Sequence, residues 1–176
     1  MKNSILFLLV LASFPVFSKV LLIPVSGAGY EKSLYAAAME KGISGGTPVE
    51  QQIFELSDGD SVIGAFIAGK GFNEKDDDVC FVAWSTKKDV ISSVIPTIGF
   101  DNWEAETCNE TVGVGIISTI GDKNIKIGVV YDASSPNANP VESLIFSIEP
   151  ESRQIIIDDE VTRDIGSSGV NSIVDL

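Results

Sequence analysis

The sequence contains no histidine. Chemistry that uses an imidazole as general base, as the common serine and cysteine hydrolases do, is therefore excluded. Cations are scarce as well, because 12 Lys and Arg stand among 25 Asp and Glu in 176 residues, for a formal net charge of -13. A nucleic-acid binder needs a basic face that neutralises phosphates, and this balance argues against one. The apolar fraction of 44% is typical of a folded domain.

Long hydrophobic runs are absent after the N-terminus. Residues 5–17 form an apolar run behind Lys2, interrupted only by Ser13 and Pro15. The run is shorter than the roughly 20 residues that span a bilayer, so a secretory signal peptide over residues 1–18 is favoured over a membrane anchor. Cleavage after Ser18 would leave one secreted or periplasmic domain, residues 19–176, without an integral membrane segment. That domain has 11 cations and 25 acids, a charge of -14.

Cysteine is limited to Cys80 and Cys108. Export would place both thiols where they oxidise, so a disulfide between them is favoured over two buried free thiols. The bridge would close a loop of about 29 residues and add about 3 kcal/mol of stability in the chain-entropy model. Two cysteines without histidine do not make a zinc site, and no metal or other cofactor is predicted.

Most of the mature chain reads as short strands joined by turns. Strands are predicted at residues 19–25, 51–56, 61–68, 79–85, 112–120, 125–131, 144–148 and 154–157. An Ala-rich helix is predicted at residues 30–41, and the glycine-rich residues 42–48 after it are predicted to form a flexible link. Residues 90–98 are ambiguous between helix and strand, and Asp158 is predicted to cap a short helix that reaches Ile165.

Three successive hairpins indicate antiparallel pairing, because parallel strands need long crossovers. Residues 62–68 and 125–130 are apolar at both alternating sets of positions, which indicates strands covered on both faces. The predicted fold class is α+β, a single domain. An antiparallel sheet, either a meander of hairpins or an open barrel, carries one main helix near the mature N-terminus.

Two short motifs match catalytic patterns but lack the chemistry. Residues 42–46 satisfy G-x-S-x-G, yet they follow a helix and no histidine is present to act as base. Residues 85–88 satisfy S-x-x-K, yet they end a predicted strand and the two companion motifs are absent. A glycine-rich link and a strand end are the favoured interpretations.

The segment at residues 26–30 reads Ser-Gly-Ala-Gly-Tyr between a strand and a helix. It lacks the third glycine of the dinucleotide-binding pattern and the GK[ST] of the P-loop, so a tight turn or helix entry is favoured. The pattern S-G-x-x-Y resembles the loop signature of bacterial periplasmic lysozyme inhibitors. The resemblance implies that Ser26, Gly27 and Tyr30 lie on a loop that enters a lysozyme cleft. The second motif of that family, a tryptophan and a Lys-Gly after the tyrosine, is absent.

Further contact candidates come from the polar stretch at residues 132–140, which is predicted to be the longest loop and is stiffened by two prolines. Its candidate residues are Asp132, Ser134, Ser135, Asn137 and Asn139. Aromatic side chains often anchor interfaces. Trp84 lies in a predicted strand and is assigned to the core, whereas Trp103 lies between acids and is assigned to the surface.

The predicted function is binding without catalysis. An exported, acidic, histidine-free domain would be steered toward basic proteins, and cell-wall hydrolases, lysozymes and many secreted toxins are basic. We therefore expect a periplasmic inhibitor or immunity protein that blocks such an enzyme. Acidity that serves only solubility is the simpler account. A glycan hydrolase with two facing carboxylates and a structural or adhesive surface subunit are the alternatives. The acidic clusters at residues 76–78 and 158–160 are read as solvated turns, with calcium binding left open.

Overall fold

The computed structural model describes residues 20–100, 105–119, 122–136, 138, 140–166 and 172–174. The predictions for residues 1–18, Trp103, Asn137 and Asn139 lie outside these residues. The elements in chain order are β1 (Val20–Pro24), α1 (Glu31–Met39), β2 (Ser44–Asp58), β3 (Ser61–Phe72), β4 (Asp78–Ser85), β5 (Ser93–Pro96), β6 (Thr107–Ile116), β7 (Ile125–Ser134), β8 (Val141–Glu149), β9 (Gln154–Ile157) and α2 (Asp159–Gly166), with a 3-10 turn at Gly27–Gly29.

The strands form two antiparallel meanders. One sheet has five strands in the order β1-β2-β3-β4-β5, and the other has four in the order β6-β7-β8-β9. The α+β class and the hairpin meander are thereby confirmed. Among the described strands β5 and β6 are not paired, so the strands form two separate sheets and not one open barrel.

The main core lies between the two sheets. Phe66 of β3 and Phe146 of β8 meet there edge to face, with ring centroids 5.5 Å apart, and neither is exposed. The disulfide between Cys80 of β4 and Cys108 of β6 bridges the same space, with the Cα atoms 5.6 Å apart. The predicted pairing is therefore confirmed, and it ties one sheet covalently to the other.

A second core lies on the other face of the five-stranded sheet, under α1. Leu34 and Ala38 of the helix are fully buried against a cluster that includes Ile53, Ile67 and Ala83 of the sheet. The part of β3 that contains Ala65 and Ile67 is thus covered on both faces, as its doubly apolar sequence predicts.

The flexible link predicted at residues 42–48 is wrong. Strand β2 begins at Ser44, which pairs with Phe72, and Thr47 pairs with Lys70. A Cβ atom on Gly46 would lie 2.5 Å from the Cβ of Ala38. Gly46 therefore allows α1 to approach the sheet closely, so it marks tight packing instead of mobility.

The strand predicted at residues 112–120 is displaced, because β6 runs from Thr107 to Ile116. Its ladder with β7 shifts register between Cys108 and Glu110 and again between Thr111 and Gly113. These two irregularities within ten residues break the alternation of side chains between the two faces of the sheet. Prediction of a strand from its hydrophobic pattern depends on that alternation. The ambiguous residues 90–98 contain the short strand β5.

Helix α2 covers part of the edge of β8. The Asp158 carboxylate accepts a hydrogen bond from the Val161 N–H at 3.2 Å, which confirms the predicted cap. The Ile145 N–H donates to the Thr162 hydroxyl at 3.0 Å, and the Ile145 carbonyl accepts from the Asp158 N–H at 2.8 Å. The pairing with β9 starts at Phe146, so the backbone N–H and carbonyl of Ile145 have no partner in β9. Thr162 and Asp158 supply these two hydrogen bonds instead. Neither α1 nor α2, the helices in the described part of the chain, is long and apolar enough to cross a membrane.

Tyr131 places a phenol inside the main core. It is fully buried, and burial raises the pKa of the Tyr131 phenol well above its ordinary value of 10.0. The interaction with Thr97 opposes this only in part. The folded protein therefore holds this proton at a pH where an unfolded chain releases it.

Replacing Tyr131 with phenylalanine is expected to remove part of the loss of stability at alkaline pH. Above pH 10 the unfolded state binds fewer protons than the folded state, so the free energy of unfolding falls as the pH rises. From pH 10 to pH 11 the Tyr131 phenol should lower the free energy of unfolding of the wild type by about 1 kcal/mol. The Tyr131→Phe variant should not show this decrease. Urea unfolding at pH 9, 10 and 11 measures the difference. Parallel stability curves for the two proteins would contradict the burial argument.

Candidate functional site

The segment from Ser26 to Tyr30 forms a turn on the outer face of the five-stranded sheet. The Ser26 hydroxyl accepts a hydrogen bond from the Ala28 N–H at 3.4 Å, and the Tyr30 N–H donates to the Gly27 carbonyl at 2.8 Å. Tyr30 then starts α1. The structure thus brings Ser26, Gly27 and Tyr30 into one compact turn, as expected for a chain that changes from strand to helix.

Two grooves flank this turn. Groove A has a volume of about 760 Å³. One of its sides is formed by the turn and the first residues of α1, and the other by the glycine-rich part of β2. Groove B has a volume of about 560 Å³ and lies on the other side of the turn. Ser26 lines both grooves. Groove A is lined by Val25, Ser26, Gly27, Ala28, Glu31, Lys32, Tyr35, Gly46, Thr47, Pro48, Glu50, Gln51 and Ile53. Groove B is lined by Val25, Ser26, Gly29, Tyr30, Glu55, Val62, Gly64, Ala65, Ser85, Thr86, Lys87, Lys88 and Asp89.

Groove A contains an irregular stretch of β2. Between the pairs Pro48–Gly69 and Ile53–Ile67, four residues of β2 lie opposite a single residue of β3. Within this bulge Gln51 has a φ of 66°. This left-handed backbone conformation costs free energy in residues other than glycine. Bulges of this kind bend a strand and redirect its side chains, and this one forms a wall of the groove.

Groove B gathers polar side chains around Tyr30. Partial burial raises the pKa of the Tyr30 phenol, and the Asp89 and Glu55 carboxylates raise it further. The interaction with Ser85 lowers the pKa but does not outweigh these causes. The phenol therefore stays protonated at neutral pH and can serve as a hydrogen-bonding contact, whereas a phenolate base is disfavoured.

The S-x-x-K motif lies in the same groove. The Ser85 hydroxyl is buried, and it donates to the Lys87 carbonyl at 2.6 Å. Its proton is thus engaged by the backbone, and the hydroxyl holds the turn after β4. This geometry supports the reading of residues 85–88 as a strand end without a nucleophile.

Sequence reasoning missed Glu55, Ser85 and Asp89 as partners of Tyr30. They come from β2, the end of β4 and the turn after it, so only the paired sheet brings them together. Little in the sequence indicated this cluster. The S-x-x-K match singled out Ser85 as a possible nucleophile and not as a neighbour of Tyr30, and an isolated Glu in a strand, such as Glu55, is common.

The long polar loop predicted at residues 132–140 is wrong. Asp132 and Ser134 belong to β7, and Ser135 forms an isolated bridge with Ala138, so β7 and β8 are joined by a tight hairpin. Its backbone is closed by the Ser135 N–H, which donates to the Ala138 carbonyl at 2.8 Å. Pro136 lies within this turn, and Pro140 directly precedes β8.

Asn109 of β6 organises this second candidate region. Its amide donates to the Asp132 carboxylate at 3.2 Å and to the Ser134 hydroxyl at 3.0 Å. Tyr131 and Ala133 point into the main core, so Asp132 and Ser134 face the outside of the four-stranded sheet. The two groups of predicted contact residues therefore lie on different sheets and do not form one site.

The remaining candidates separate into core and turn residues. Trp84 is buried, and its indole N–H donates to the Arg153 carbonyl at 2.9 Å, which confirms the core assignment. The acidic cluster at residues 76–78 follows Asn73, whose side-chain carbonyl accepts from the Lys75 and Asp77 N–H groups. It is a capped turn, as predicted. No group of three or more His, Cys, Asp or Glu gathers within the described ranges to hold a metal ion.

No protein-family model, curated protein or solved structure matches this chain. The charge of the protein and the chemistry of its grooves are therefore the observations that bear on its function.

Proposed function

We propose that this chain is an exported, non-enzymatic binding protein that docks on a basic protein of the cell envelope. The best candidates are cell-wall hydrolases, lysozymes and secreted effectors, which it would block as an inhibitor or immunity protein. The observation that carries the proposal is the charge: acids outnumber cations by 25 to 12. Such a surface attracts cationic proteins over long range and raises their association rate.

The location of the charges supports this role. None of the buried residues in the described ranges is Asp, Glu, Lys or Arg. The negative excess therefore lies at the surface, where a partner can meet it. The disulfide of the core is compatible with a secreted protein.

Mature protein, residues 19–176, is expected to inhibit at least one basic cell-wall hydrolase in a panel assayed on purified peptidoglycan. Because steering depends on exposed charges, the association rate should fall at least tenfold between 50 and 500 mM NaCl. Stopped-flow or surface-plasmon-resonance measurements give that rate, and a neutral hydrolase of similar size is the control. Absence of inhibition across the panel, or association that is indifferent to salt, would contradict the proposal.

The carboxylate hydrolase is kept as a second candidate because Glu55 and Asp89 line the same groove. The peptidoglycan assay tests it without any partner. Hydrolysis by the purified chain alone, lost on Glu55→Gln, would replace the inhibitor proposal with the enzyme. Unchanged peptidoglycan would leave inhibition as the function to be measured.

A further inference from the structure

Helix α1 is too short to cover the sheet on which it packs. Nine residues of helix extend about 14 Å, whereas the 12 residues of β3 extend about 40 Å. The helix buries the cross-strand row that contains Ile53, Ile67 and Ala83. Among the described residues, no helix lies over the end of the sheet toward the β2–β3 turn.

Two further cross-strand rows lie on the same outer face. Ile23, Glu55, Ala65 and Ser85 are successive partners across β1, β2, β3 and β4. Leu21, Ser57 and Val62 are successive partners one step nearer the β2–β3 turn. We call the residues Leu21, Ile23, Glu55, Ser57 and Val62 the open face.

The open face is apolar at its edges and polar in its middle. Leu21, Ile23 and Val62 are 39%, 43% and 48% exposed, an unusual degree for three large aliphatic side chains that share one sheet face. Between Leu21 and Val62 the Ser57 hydroxyl is buried, and it makes no hydrogen bond within the described part of the chain. An exposed apolar surface around an unpaired polar group is a feature of contact surfaces.

Groove B continues the open face, since Glu55 and Val62 belong to both. The carboxylates of Glu55 and Asp89 both raise the pKa of the Tyr30 phenol, so two acidic groups of this groove act on the same side chain. Lys87 and Lys88 also line the groove, and within the described residues neither forms an ion pair with Glu55 or Asp89. Neither carboxylate is therefore engaged in an ion pair with these two lysines.

We propose that the open face is the docking surface for the basic partner, and that a lysine or arginine side chain of that partner enters groove B. The cation would lie between the Glu55 and Asp89 carboxylates, beside the Tyr30 ring. Aliphatic side chains next to it in the partner would cover Leu21, Ile23 and Val62. This combination of a central cation and surrounding apolar contacts matches the pattern of charge and exposure on this face. The inference rests on the proposed function for the identity of the partner, but the cation pocket is testable by itself.

A small guanidinium probe tests the pocket without a partner. Titration of N-acetyl-arginine methylamide into the protein is expected to shift the backbone amide resonances of Gly29 and Ala65, which line groove B, with saturation. Gly46, which lines groove A, is the internal reference. Shifts that are absent, or equally large at Gly46, would overturn the cation pocket.

Two matched double variants test recognition of the basic partner. Glu55→Gln with Asp89→Asn alters groove B, and Glu74→Gln with Asp76→Asn makes the same charge change on the turn at residues 73–78. Asp89 and Asp76 have φ values of 61° and 63°, which asparagine tolerates, so both variants should fold alike. We expect the first variant to weaken the complex at least tenfold and the second less than twofold.

The outcomes separate the inference from the proposed function. If both variants weaken the complex equally, the effect comes from the net charge of the protein. That result would contradict the open face as the docking surface and leave the binding function intact. Failure of the wild type to bind any basic hydrolase would overturn the function, and the arginine titration would still decide the pocket. Sedimentation that shows self-association, lost on Leu21→Ser with Ile23→Ser, would assign the open face to a second copy of the chain instead.

Discussion

Phe66→Ala is expected to lower the free energy of unfolding by about 4 kcal/mol, the largest effect of a single substitution considered for this protein. Phe66 lies in β3, the central strand of the five-stranded sheet, and its ring is fully buried against Phe146 of the opposite sheet. Truncation removes the transfer free energy of the ring and leaves a cavity at the contact between the sheets. The edge-to-face pair contributes beyond its buried area, and this contribution is lost too.

Phe72→Ala is the matched control, because Phe72 ends the same strand and is 43% exposed. It should cost less than about 1 kcal/mol. Denaturant unfolding at pH 7 gives both values. Similar costs for the two substitutions would show that the core between the sheets does not carry the stability that its burial indicates.

Replacing Cys80 and Cys108 together by serine is expected to lower the stability by about 3 kcal/mol. The bridge has a sequence separation of 28 residues and is the covalent tie between the two sheets. Without it the unfolded chain regains the freedom that the closed loop removes, and the sheets depend on their packing alone. For a domain of this size the loss corresponds to a fall in Tm of about 6–12 °C.

A reductant supplies the control for the disulfide. Both cysteines are almost fully buried, so the bridge should resist dithiothreitol in the folded protein and be reduced when the chain unfolds. Wild type unfolded and refolded in dithiothreitol should then match the double variant. Equal stability of the variant and the oxidised wild type would mean that the bridge adds no constraint beyond the core.

The hairpins could be predicted because their signals are local. Residues 57–60 read Ser-Asp-Gly-Asp between two apolar runs, and Gly59 and Asp60 form the turn between β2 and β3. The cap of α2 by Asp158 could be predicted for the same reason, because a capping side chain binds backbone N–H groups of the next few residues. The errors came where local chemistry was ambiguous: the glycines at residues 42–48 suit a loop and suit a strand under a helix equally well.

Groove B could not be predicted from spacing or composition. Tyr30, Glu55, Ser85 and Asp89 meet because β2, β3 and β4 pair in one particular register. A shift of one residue would turn Glu55 toward the main core and Leu56 outward. The register depends on burying the apolar residues of both faces at once, which is a property of the assembled sheets.

The amino-acid sequence by itself determined the negative charge, the absence of imidazole chemistry, the antiparallel class and the pairing of the two cysteines. These follow from composition, from the presence of just two cysteines and from interactions between near neighbours in the chain. Only the tertiary structure decided that the strands divide into two sheets, that α1 covers part of its sheet, and that the uncovered part adjoins a groove with two carboxylates. Packing over the whole molecule selects these features, because each depends on which distant residues exclude water together.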